Sequence, residues 1–260
     1  MTESDAKPPR PYVLAESTWE EVRSTRFEVA VLPWGATEAH NRHLPYATDN
    51  FESESVAIAS AAVAWGRGAR VLVLPCMPFG VNTGQREVPL CRNMMPGTQT
   101  AVIRDLLPSL EQHGLRKLVI LNGHGGNDFK QIIRELQPAT PILLAQVNWW
   151  QVVNASQFFD EPGDHAGELE TSAMLHLRPD LVRPLESAGP GKAKRHRIAA
   201  FREGWAWMPR PWTRVTDDTG VGNPAKSTAD KGARHLQAVT EAIGAFLYDL
   251  ATADAGELFE

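Results

Sequence analysis

The sequence predicts an α/β protein with a mainly parallel central sheet, and two features of the chain lead to this prediction. Short apolar runs rich in Val, Leu and Ile alternate with longer stretches of helical periodicity, which is the pattern of βαβ units. The apolar runs are also uninterrupted, as is typical of strands that are buried on both faces of a sheet.

The predicted elements follow one another in regular alternation. Strands are expected at Val29–Pro33, Arg70–Leu74, Lys117–Leu121 and Pro141–Val147. Helices are expected at Asn50–Trp65, Gly97–His113, Asn127–Leu136, Ala166–His176 and Thr228–Leu250. The last helix is the clearest, because Leu236, Ile243 and Leu247 fall on one stripe of the helical period.

We expect one domain at residues 13–260, preceded by a flexible tail at residues 1–12 that is polar and rich in proline. A Trp- and Pro-rich segment at residues 184–224 breaks the alternation, and long irregular segments are usually functional or mobile. Its tryptophans could cover a site as a lid, pack between subunits or belong to the core. They are Trp205, Trp207 and Trp212.

Composition excludes several classes of protein. With 26 Lys and Arg against 31 Asp and Glu, the formal net charge is −5, so no broad positive field attracts nucleic acid. The 2 cysteines are too few for a disulfide scaffold, and no apolar run approaches the roughly 18 residues of a membrane span. We therefore expect a cytoplasmic protein with neither nucleic acid nor a membrane as partner.

Candidate metal ligands follow the first predicted strand. In an extended segment Glu38 and His40 point to the same side, and ligands of open α/β sheets bind at the carboxyl ends of strands. Asp49 stands at the start of the next predicted helix, where N-capping alone would also explain it. Two carboxylates and an imidazole gathered at a strand end form a set that Zn²⁺, Mn²⁺ or Fe²⁺ accepts.

A glycine-rich segment, Asn122–Asn127, follows the third predicted strand and precedes a helix. Glycines in this position can form a phosphate cradle at a helix N-terminus, although neither of the common nucleotide-binding glycine patterns is matched. His124 stands between glycines and has little surface to pack against. This setting favours a metal ligand or a catalytic group over a core histidine.

A third polar segment, Asp164–Ser172, is predicted to open a helix. On a helix His165 and Glu168 share a face, whereas Glu168 and Glu170 lie about 200° apart around the axis. We therefore expect Glu168 to act together with His165. We interpret Glu170 as an acidic residue of the first helical turn, which the helix dipole favours.

The remaining histidines are not predicted to carry the chemistry. His43 points away from His40 in an extended segment, so we interpret it as structural or as support for a ligand. The others have no companions in the sequence and are expected at the surface or at helix ends; they are His113, His176, His196 and His235. The loop Asn82–Glu87 follows the second strand and should face the same mouth as the ligands.

The segments TEAHNRHLPYATD, NGHGGN and HAGELETS, in this order, resemble the creatininase family of metal-dependent amidohydrolases. The resemblance extends from Val31 to Leu181 and continues in the later segment Thr219–Gly232. It implies a single three-layer αβα domain, two divalent metal ions in each subunit and a homo-oligomer, often a hexamer in this family.

The resemblance also implies roles for particular residues. Glu38 and His124 match ligands of one metal, His40 matches a ligand of the other, and Asp49 matches the carboxylate that bridges both. His165 matches the position that handles protons in catalysis.

The glycine-rich segment departs from creatininase itself. Gly126 stands where creatininase has a glutamate ligand of the second metal, and Gly125 replaces an aromatic residue. Glu168 could supply the missing ligand or assist proton transfer, and the sequence leaves both roles open. The two glycines also suggest room for an amide larger than creatinine.

The resemblance implies a hydrolase that cleaves a C–N amide bond, cyclic or linear, with a hydroxide held between two divalent metals. Zinc is expected, with manganese or iron as alternatives, and the substrate is expected to be a small non-peptide amide. Within the enzyme class, a deformylase or a peptidase of the same family is the alternative. A non-catalytic module that binds a phosphorylated metabolite and a structural homomeric scaffold are the alternatives from other classes.

Overall fold

A four-stranded parallel sheet forms the centre of the molecule, and it confirms the predicted α/β class. The computed structural model describes residues 10–259 of the chain. The strands are β1 (Val29–Trp34), β2 (Val71–Val73), β3 (Lys117–Asn122) and β4 (Leu143–Asn148). They lie in the order β2-β1-β3-β4, and each neighbouring pair is parallel. The central strands β1 and β3 are buried along their whole length, which explains why their sequences are apolar without alternation.

The α-helices of the described residues are α1 (Trp19–Ser24), α2 (Thr48–Gly66), α3 (Pro96–Gln112), α4 (Phe129–Leu136), α5 (Glu168–Leu177), α6 (Ala199–Glu203), α7 (Trp212–Val215) and α8 (Ala229–Thr252). The five predicted helices are present as α2, α3, α4, α5 and α8, and the structure adds three short α-helices that were not predicted. Every predicted strand and helix boundary agrees with the structure to within 2 residues. The short helices α6 and α7 belong to the Trp- and Pro-rich segment. In the described part of the chain, no helix combines the length and apolar character that crossing a membrane requires.

Apolar layers cover both faces of the sheet. On one face, side chains such as Val31 and Val119 pack against α2, α5 and α8. On the other face, their neighbours Leu32 and Ile120 pack against α3 and α4. Burying one such side chain stabilises the fold by about 1.5–3 kcal/mol. The central strands are therefore held firmly from both sides, and so are the loops that leave their ends.

The carboxyl ends of β1 and β3 bring two of the polar segments together. Trp34 at the end of β1 is the register partner of Asn122 at the end of β3, and the amide of Gly123 donates a hydrogen bond to the carbonyl oxygen of Trp34 (2.9 Å). The loop that carries Glu38 and the loop that carries His124 therefore start side by side.

The predicted tail lies mostly outside the described residues, which begin at Arg10. Tyr12, within the predicted tail, already packs against the core. Its carbonyl oxygen accepts a hydrogen bond from the amide of Val73 (2.7 Å), and Val13 forms an isolated bridge with the same residue. The chain is thus attached to β2 before the first long element begins.

A buried lysine joins the start of β3 to the end of α8. The Nζ of Lys117 donates hydrogen bonds to the carbonyl oxygens of Leu250 (2.6 Å), Ala251 (3.1 Å) and Ala253 (2.7 Å). Carbonyl groups at a helix C-terminus lack partners within the helix and carry partial negative charge, so a cation is favourable there. Lys117 thereby fixes α8 to the central strand.

His235 was expected at the surface or at a helix end, and the structure shows that this expectation is wrong. The residue is completely buried in α8, with its ring 5.1 Å from that of Phe159, 5.2 Å from that of Phe158 and 6.0 Å from that of Trp149. Neither ring nitrogen has a hydrogen-bond partner among the described residues. Burial lowers the pKa of His235 to about 4, so the folded protein keeps the ring neutral.

We predict that His235 makes the protein less stable in mild acid. The unfolded chain protonates this ring near pH 6.5, whereas the folded chain does so only near pH 4. Stability is therefore complete above pH 6.5 and falls as the pH drops through this window, by about 2 kcal/mol between pH 6.5 and pH 5. From pH 7.5 to pH 5, urea unfolding should show that the natural protein loses about 2 kcal/mol relative to His235→Leu. The exposed His113→Leu serves as control, and an equal loss in all three proteins contradicts the prediction.

Candidate metal centre

Four of the predicted metal ligands meet in one buried cluster at the carboxyl edge of the sheet. Glu38 and His40 lie in the loop after β1, Asp49 lies in the first turn of α2, and His124 lies in the loop after β3. Each of the four side chains belongs to a residue that is at most 6% exposed. Two carboxylates and two imidazoles thus share a largely buried space.

Three overlapping groups of side chains in the described residues could each hold a cation, because their ligand atoms lie within 4.8 Å of one another. The groups are Glu38, Asp49 and His124; His40, Asp49 and Glu170; and Glu38, His40 and His165. Asp49 belongs to the first group and to the second. The arrangement therefore suits two cations that share one carboxylate.

Each histidine of the site is anchored to the backbone through one of its ring nitrogens. His40 bonds the carbonyl oxygen of Glu38 through Nδ1 (3.1 Å), His124 bonds that of Val81 through Nε2 (3.0 Å), and His165 bonds that of Ala39 through Nε2 (2.8 Å). A carbonyl oxygen only accepts hydrogen bonds, so the anchored nitrogen must carry the hydrogen. The other nitrogen of each neutral ring then presents a lone pair, as in the histidine ligands of metal sites.

The lone pairs of two histidines face carboxylate oxygens at contact distance. His40 Nε2 lies 2.7 Å from Asp49 Oδ1, and His124 Nδ1 lies 2.9 Å from Glu38 Oε1 and 3.0 Å from Asp49 Oδ2. A lone pair and a carboxylate oxygen repel each other unless a positive charge lies between them. The donor set therefore fits divalent cations, which accept both imidazole and carboxylate ligands.

The pKa values of the histidines and of Asp49 also indicate that the carboxylates of the cluster attract positive charge. Burial lowers the pKa of His40, but the carboxylates of Asp49, Glu170 and Glu38 together outweigh this effect and raise the pKa to about 10. Burial also lowers the pKa of His124, and Glu38 with Asp49 brings it well above its ordinary value. Burial raises the pKa of Asp49, yet His40 and His124 bring it below its usual range. A metal ion would take the place of the protons that these imidazoles attract.

Asp49 has the geometry of a bridging carboxylate. Its Oδ1 faces His40 and its Oδ2 faces His124. The alternative explanation of Asp49 as an N-cap is wrong, because Ala47 is the N-cap residue of α2 and no side chain caps this end. The carboxylate is therefore free of a helix-capping role.

The structure assigns Glu168 and Glu170 differently from the sequence prediction. Glu170 lies in the cluster with His40 and Asp49, whereas Glu168 is in none of the cation-binding groups found among residues 10–259. Instead, Glu168 forms an ion pair with Lys231, and its Oε2 accepts a hydrogen bond from the amide of Glu161 (2.8 Å). Glu168 thus attaches α5 to α8, and the expectation that it acts with His165 does not agree with its position.

The prediction failed because it placed His165 on the helix. Helix α5 begins only at Glu168, and His165 lies before it, in an isolated bridge with Val221. Ala166 between them has a φ of 50°, in the left-handed region that side chains seldom adopt. The chain therefore turns sharply between His165 and the helix, and helical spacing does not relate His165 to Glu168.

A network of amide side chains fixes the glycine-rich loop. Asn122 accepts a hydrogen bond from the amide of His124 (3.1 Å) and donates one to its carbonyl oxygen (3.0 Å). Asn127 donates to Asn122 (3.0 Å). The first position of α4 is capped by Asp128, which accepts from the amide of Lys130. A carboxylate already occupies this helix N-terminus, and the phosphate-cradle alternative gains no support from it.

The two glycines of the loop have different surroundings. A Cβ at Gly125 would meet no atom within 4 Å, so this position leaves open space. A Cβ at Gly126 would come within 2.2 Å of the carbonyl oxygen of Val81 and 2.4 Å of His124 Nε2. Gly126 therefore permits the close contact between Val81 and His124, and only Gly125 agrees with the expected extra room.

Gln85 is a contributor that the sequence did not single out. Its Nε2 donates a hydrogen bond to Glu38 Oε2, and its Oε1 accepts one from Cys91 Sγ (3.3 Å). Gln85 thereby turns the other oxygen of Glu38 toward His124. Its place in the loop Asn82–Glu87, which was expected to face the mouth of the site, is the signal that could have identified it.

A cavity of about 250 Å³ opens above the cluster. The loop after β2 forms one wall through Asn82, Thr83, Gly84 and Gln85. Trp207, Arg210 and Trp212 of the Trp- and Pro-rich segment form another part of the lining. Trp205 and Trp207 are 74% and 84% exposed, so the core alternative for these two side chains is wrong.

Comparisons with known proteins agree with this geometry. The family model described as creatininase, creatinine amidohydrolase, matches residues 15–247. The chain is 29% identical over 194 residues to the creatinine amidohydrolase of Pseudomonas putida, covering 65% of this chain and 73% of that protein. It is 28% identical over 244 residues to the mycofactocin precursor peptide peptidase of Mycobacterium tuberculosis (strain CDC 1551 / Oshkosh), covering 88% and 87%.

The same relationship is seen among solved structures. A candidate creatinine amidohydrolase from Bacteroides fragilis NCTC 9343 superimposes with a TM-score of 0.90 and 43% identity, covering 96% of this chain and 99% of that one. The family model and this structure both span the loops that carry the histidine and carboxylate cluster. The chain therefore belongs to the creatininase family of amidohydrolases.

Proposed function

We propose that the protein is a dinuclear metal-dependent hydrolase that cleaves the C–N bond of a small non-peptide amide, cyclic or linear. The observation that carries this proposal is the orientation of the three histidines. Each is anchored to a backbone carbonyl by one ring nitrogen and directs the other toward buried carboxylates. This arrangement has a clear use as a cation site and no equivalent use in a core.

Five side chains would hold the two ions. Glu38, Asp49 and His124 form one position, and His40, Asp49 and Glu170 form the other. We propose zinc as the metal, with manganese or iron as alternatives, because carboxylate and imidazole ligands suit all three. When bound, a pair of such ions lowers the pKa of a water molecule toward neutrality and polarises an amide carbonyl group.

We propose that His165 moves a proton in the reaction. Its Nε2 hydrogen is committed to the carbonyl oxygen of Ala39, and its Nδ1 lies 3.7 Å from Glu38 Oε1 at the edge of the cluster. An amine is a poor leaving group unless its nitrogen is protonated. We propose that His165 Nδ1 accepts the proton that the attacking water gives up and passes it to the leaving nitrogen, while the contact of its ring with Trp212 (4.8 Å between centroids) keeps the ring in place.

The size of the cavity favours a small substrate. A space of about 250 Å³ is smaller than most pockets for drug-sized ligands. A deformylase or peptidase activity is the second candidate, because the matched peptidase covers more of this chain than the matched creatinine amidohydrolase does. We further propose that the protein is cytoplasmic and forms a homo-oligomer. Light scattering of the purified protein can measure the mass of the oligomer.

The first test concerns the shared carboxylate. Asp49→Asn removes the charge that both ion positions use, so we expect the purified protein to lose both equivalents of metal. Elemental analysis of the variant and of the control Asp105→Asn, an exposed aspartate of α3, measures this loss. Retention of two equivalents by Asp49→Asn contradicts the proposed bridge.

The second test separates the two glutamates of α5. Glu170→Gln should lose one equivalent of metal and keep its folding stability. Glu168→Gln should keep both equivalents and lower the unfolding free energy, because it weakens the ion pair between the buried Glu168 and the partly exposed Lys231. Elemental analysis and urea unfolding measure the two quantities, and the reverse pattern would return Glu168 to the metal site.

The third test concerns the reaction. The metal-loaded protein should hydrolyse at least one member of a panel that contains creatinine, other cyclic amides, N-acyl amino acids and short peptides, with the products followed by mass spectrometry. His165→Gln should keep both metals and lower kcat by about 10²–10⁴-fold, the usual contribution of a general acid or base. Unchanged kcat in this variant contradicts the role of His165, and cleavage of peptides alone favours the peptidase.

A further inference from the structure

One stretch of the Trp- and Pro-rich segment crosses the mouth of the cavity. We name residues 207–212 the strap. Arg210 Nη1 donates a hydrogen bond to Asp164 Oδ2 (2.5 Å) on one side. On the other side, the carbonyl oxygen of Arg210 lies so close to Gly84 that a Cβ there would come within 2.1 Å of it. The strap thus contacts both walls of the cavity, directly above the cluster.

Arg210 is the one lysine or arginine among the described residues that line this cavity. Its guanidinium group lies over the ring of Trp212, 4.9 Å from the centroid, and its contact with Asp164 uses one nitrogen only. The donors on Nε and Nη2 make no hydrogen bond within the described chain. A guanidinium with two unused donors, held on an aromatic face, is suited to a carboxylate.

The charges of the cavity are distributed by depth. The carboxylates of Glu38, Asp49 and Glu170 line its lower part and belong to the metal-binding groups. Arg210 belongs to the strap at the mouth, where it pairs with Asp164, and it also lines a neighbouring hollow of about 520 Å³ together with Arg86 and Glu87. A substrate that reaches the cluster with its amide would therefore meet the unused donors of Arg210 with the groups farther from that amide.

The strap also offers an aromatic surface. Trp207 lines the cavity although it is 84% exposed. Exposing a large aromatic ring at a cavity mouth is unfavourable unless a ligand covers it, and rings of this kind often anchor ligands. Trp207 and Arg210 thus supply one apolar contact and one ionic contact within the same short segment.

We infer that the strap selects the substrate and that Arg210 binds a carboxylate group of it. The substrate class is then an amide that also carries a carboxylate beyond the scissile C–N bond, such as an N-acyl amino acid. This inference rests on the proposed hydrolase function and adds the group that determines specificity. The substrate carboxylate takes the donors on Nε and Nη2, and Nη1 keeps its contact with Asp164.

The test compares matched ligands that differ only in this carboxylate. N-acetyl-phenylalanine and N-acetyl-phenylalaninamide are offered to the metal-loaded protein, and hydrolysis and equilibrium binding by calorimetry are both measured. We expect the natural protein to prefer the carboxylate form by about tenfold or more, as charge-assisted hydrogen bonds allow. In Arg210→Met the ratio of the two kcat/KM values, or of the two Kd values, should fall to about one.

Two further variants distinguish carboxylate binding by Arg210 from a role of Arg210 in holding the strap. Arg214→Met removes the same charge four positions away, outside the cavity lining, and should keep the natural preference. Asp164→Asn removes the partner of Arg210 and should keep or increase the preference for the carboxylate. If the ion pair served only to hold the strap, Arg210→Met and Asp164→Asn would lose binding of both ligands to the same extent, and the inference would be overturned.

The outcomes also distinguish this inference from the proposed function. Hydrolysis of panel amides with no preference for the carboxylate form overturns the role of Arg210 and leaves the hydrolase intact. If no amide is hydrolysed, the hydrolase proposal fails, and the calorimetric comparison alone decides whether Arg210 binds a carboxylate. A preference for a cationic analogue that disappears in Asp164→Asn overturns the inference in favour of Asp164.

Discussion

The structure depends on one constraint, which is that three buried imidazoles each have only one nitrogen left for the cluster. The backbone carbonyls of Glu38, Val81 and Ala39 hold the other nitrogens. The free nitrogens face carboxylates in a largely buried space, where unpaired charge is costly. The cluster at this edge of the sheet therefore requires positive charge. The carboxylates of Glu38, Asp49 and Glu170 are positioned to balance that charge.

The parallel sheet makes this constraint possible. The cluster needs side chains from two loops and two helices, and the register of β1 with β3 starts both loops at the same point. The layers on both faces then hold these strands without help from the site. Amide groups such as Asn122 and Gln85 adjust the orientation of individual ligands. The sheet thus positions the loops that carry the ligands, and the amide side chains orient the ligand groups.

Much of the fold and most of the candidate metal ligands could be predicted from the sequence, for different physical reasons. Continuous apolar runs and helical periodicity follow from which side chains are buried, so the boundaries of the predicted strands and helices were accurate. Glu38, His40, Asp49 and His124 could be identified because strand ends bring them together. Glu170 and Gln85 could not, because their positions depend on a left-handed residue at Ala166 and on a hydrogen bond between loops 47 positions apart. His235 was misjudged because its polar ring suggested exposure, although it lies four residues before Val239 on the buried face of α8.

The contact of Lys117 with the end of α8 has a consequence for how the domain tolerates change. The strand that begins at Lys117 ends next to the loop of His124, so one short element links the last turn of α8 to a ligand some 20 Å away, at about 3.3 Å per residue. Shortening α8 would leave an ammonium group buried without its acceptors and would loosen the strand as a whole. The last turn of α8 therefore supports the position of His124 through β3, although it does not contact the site.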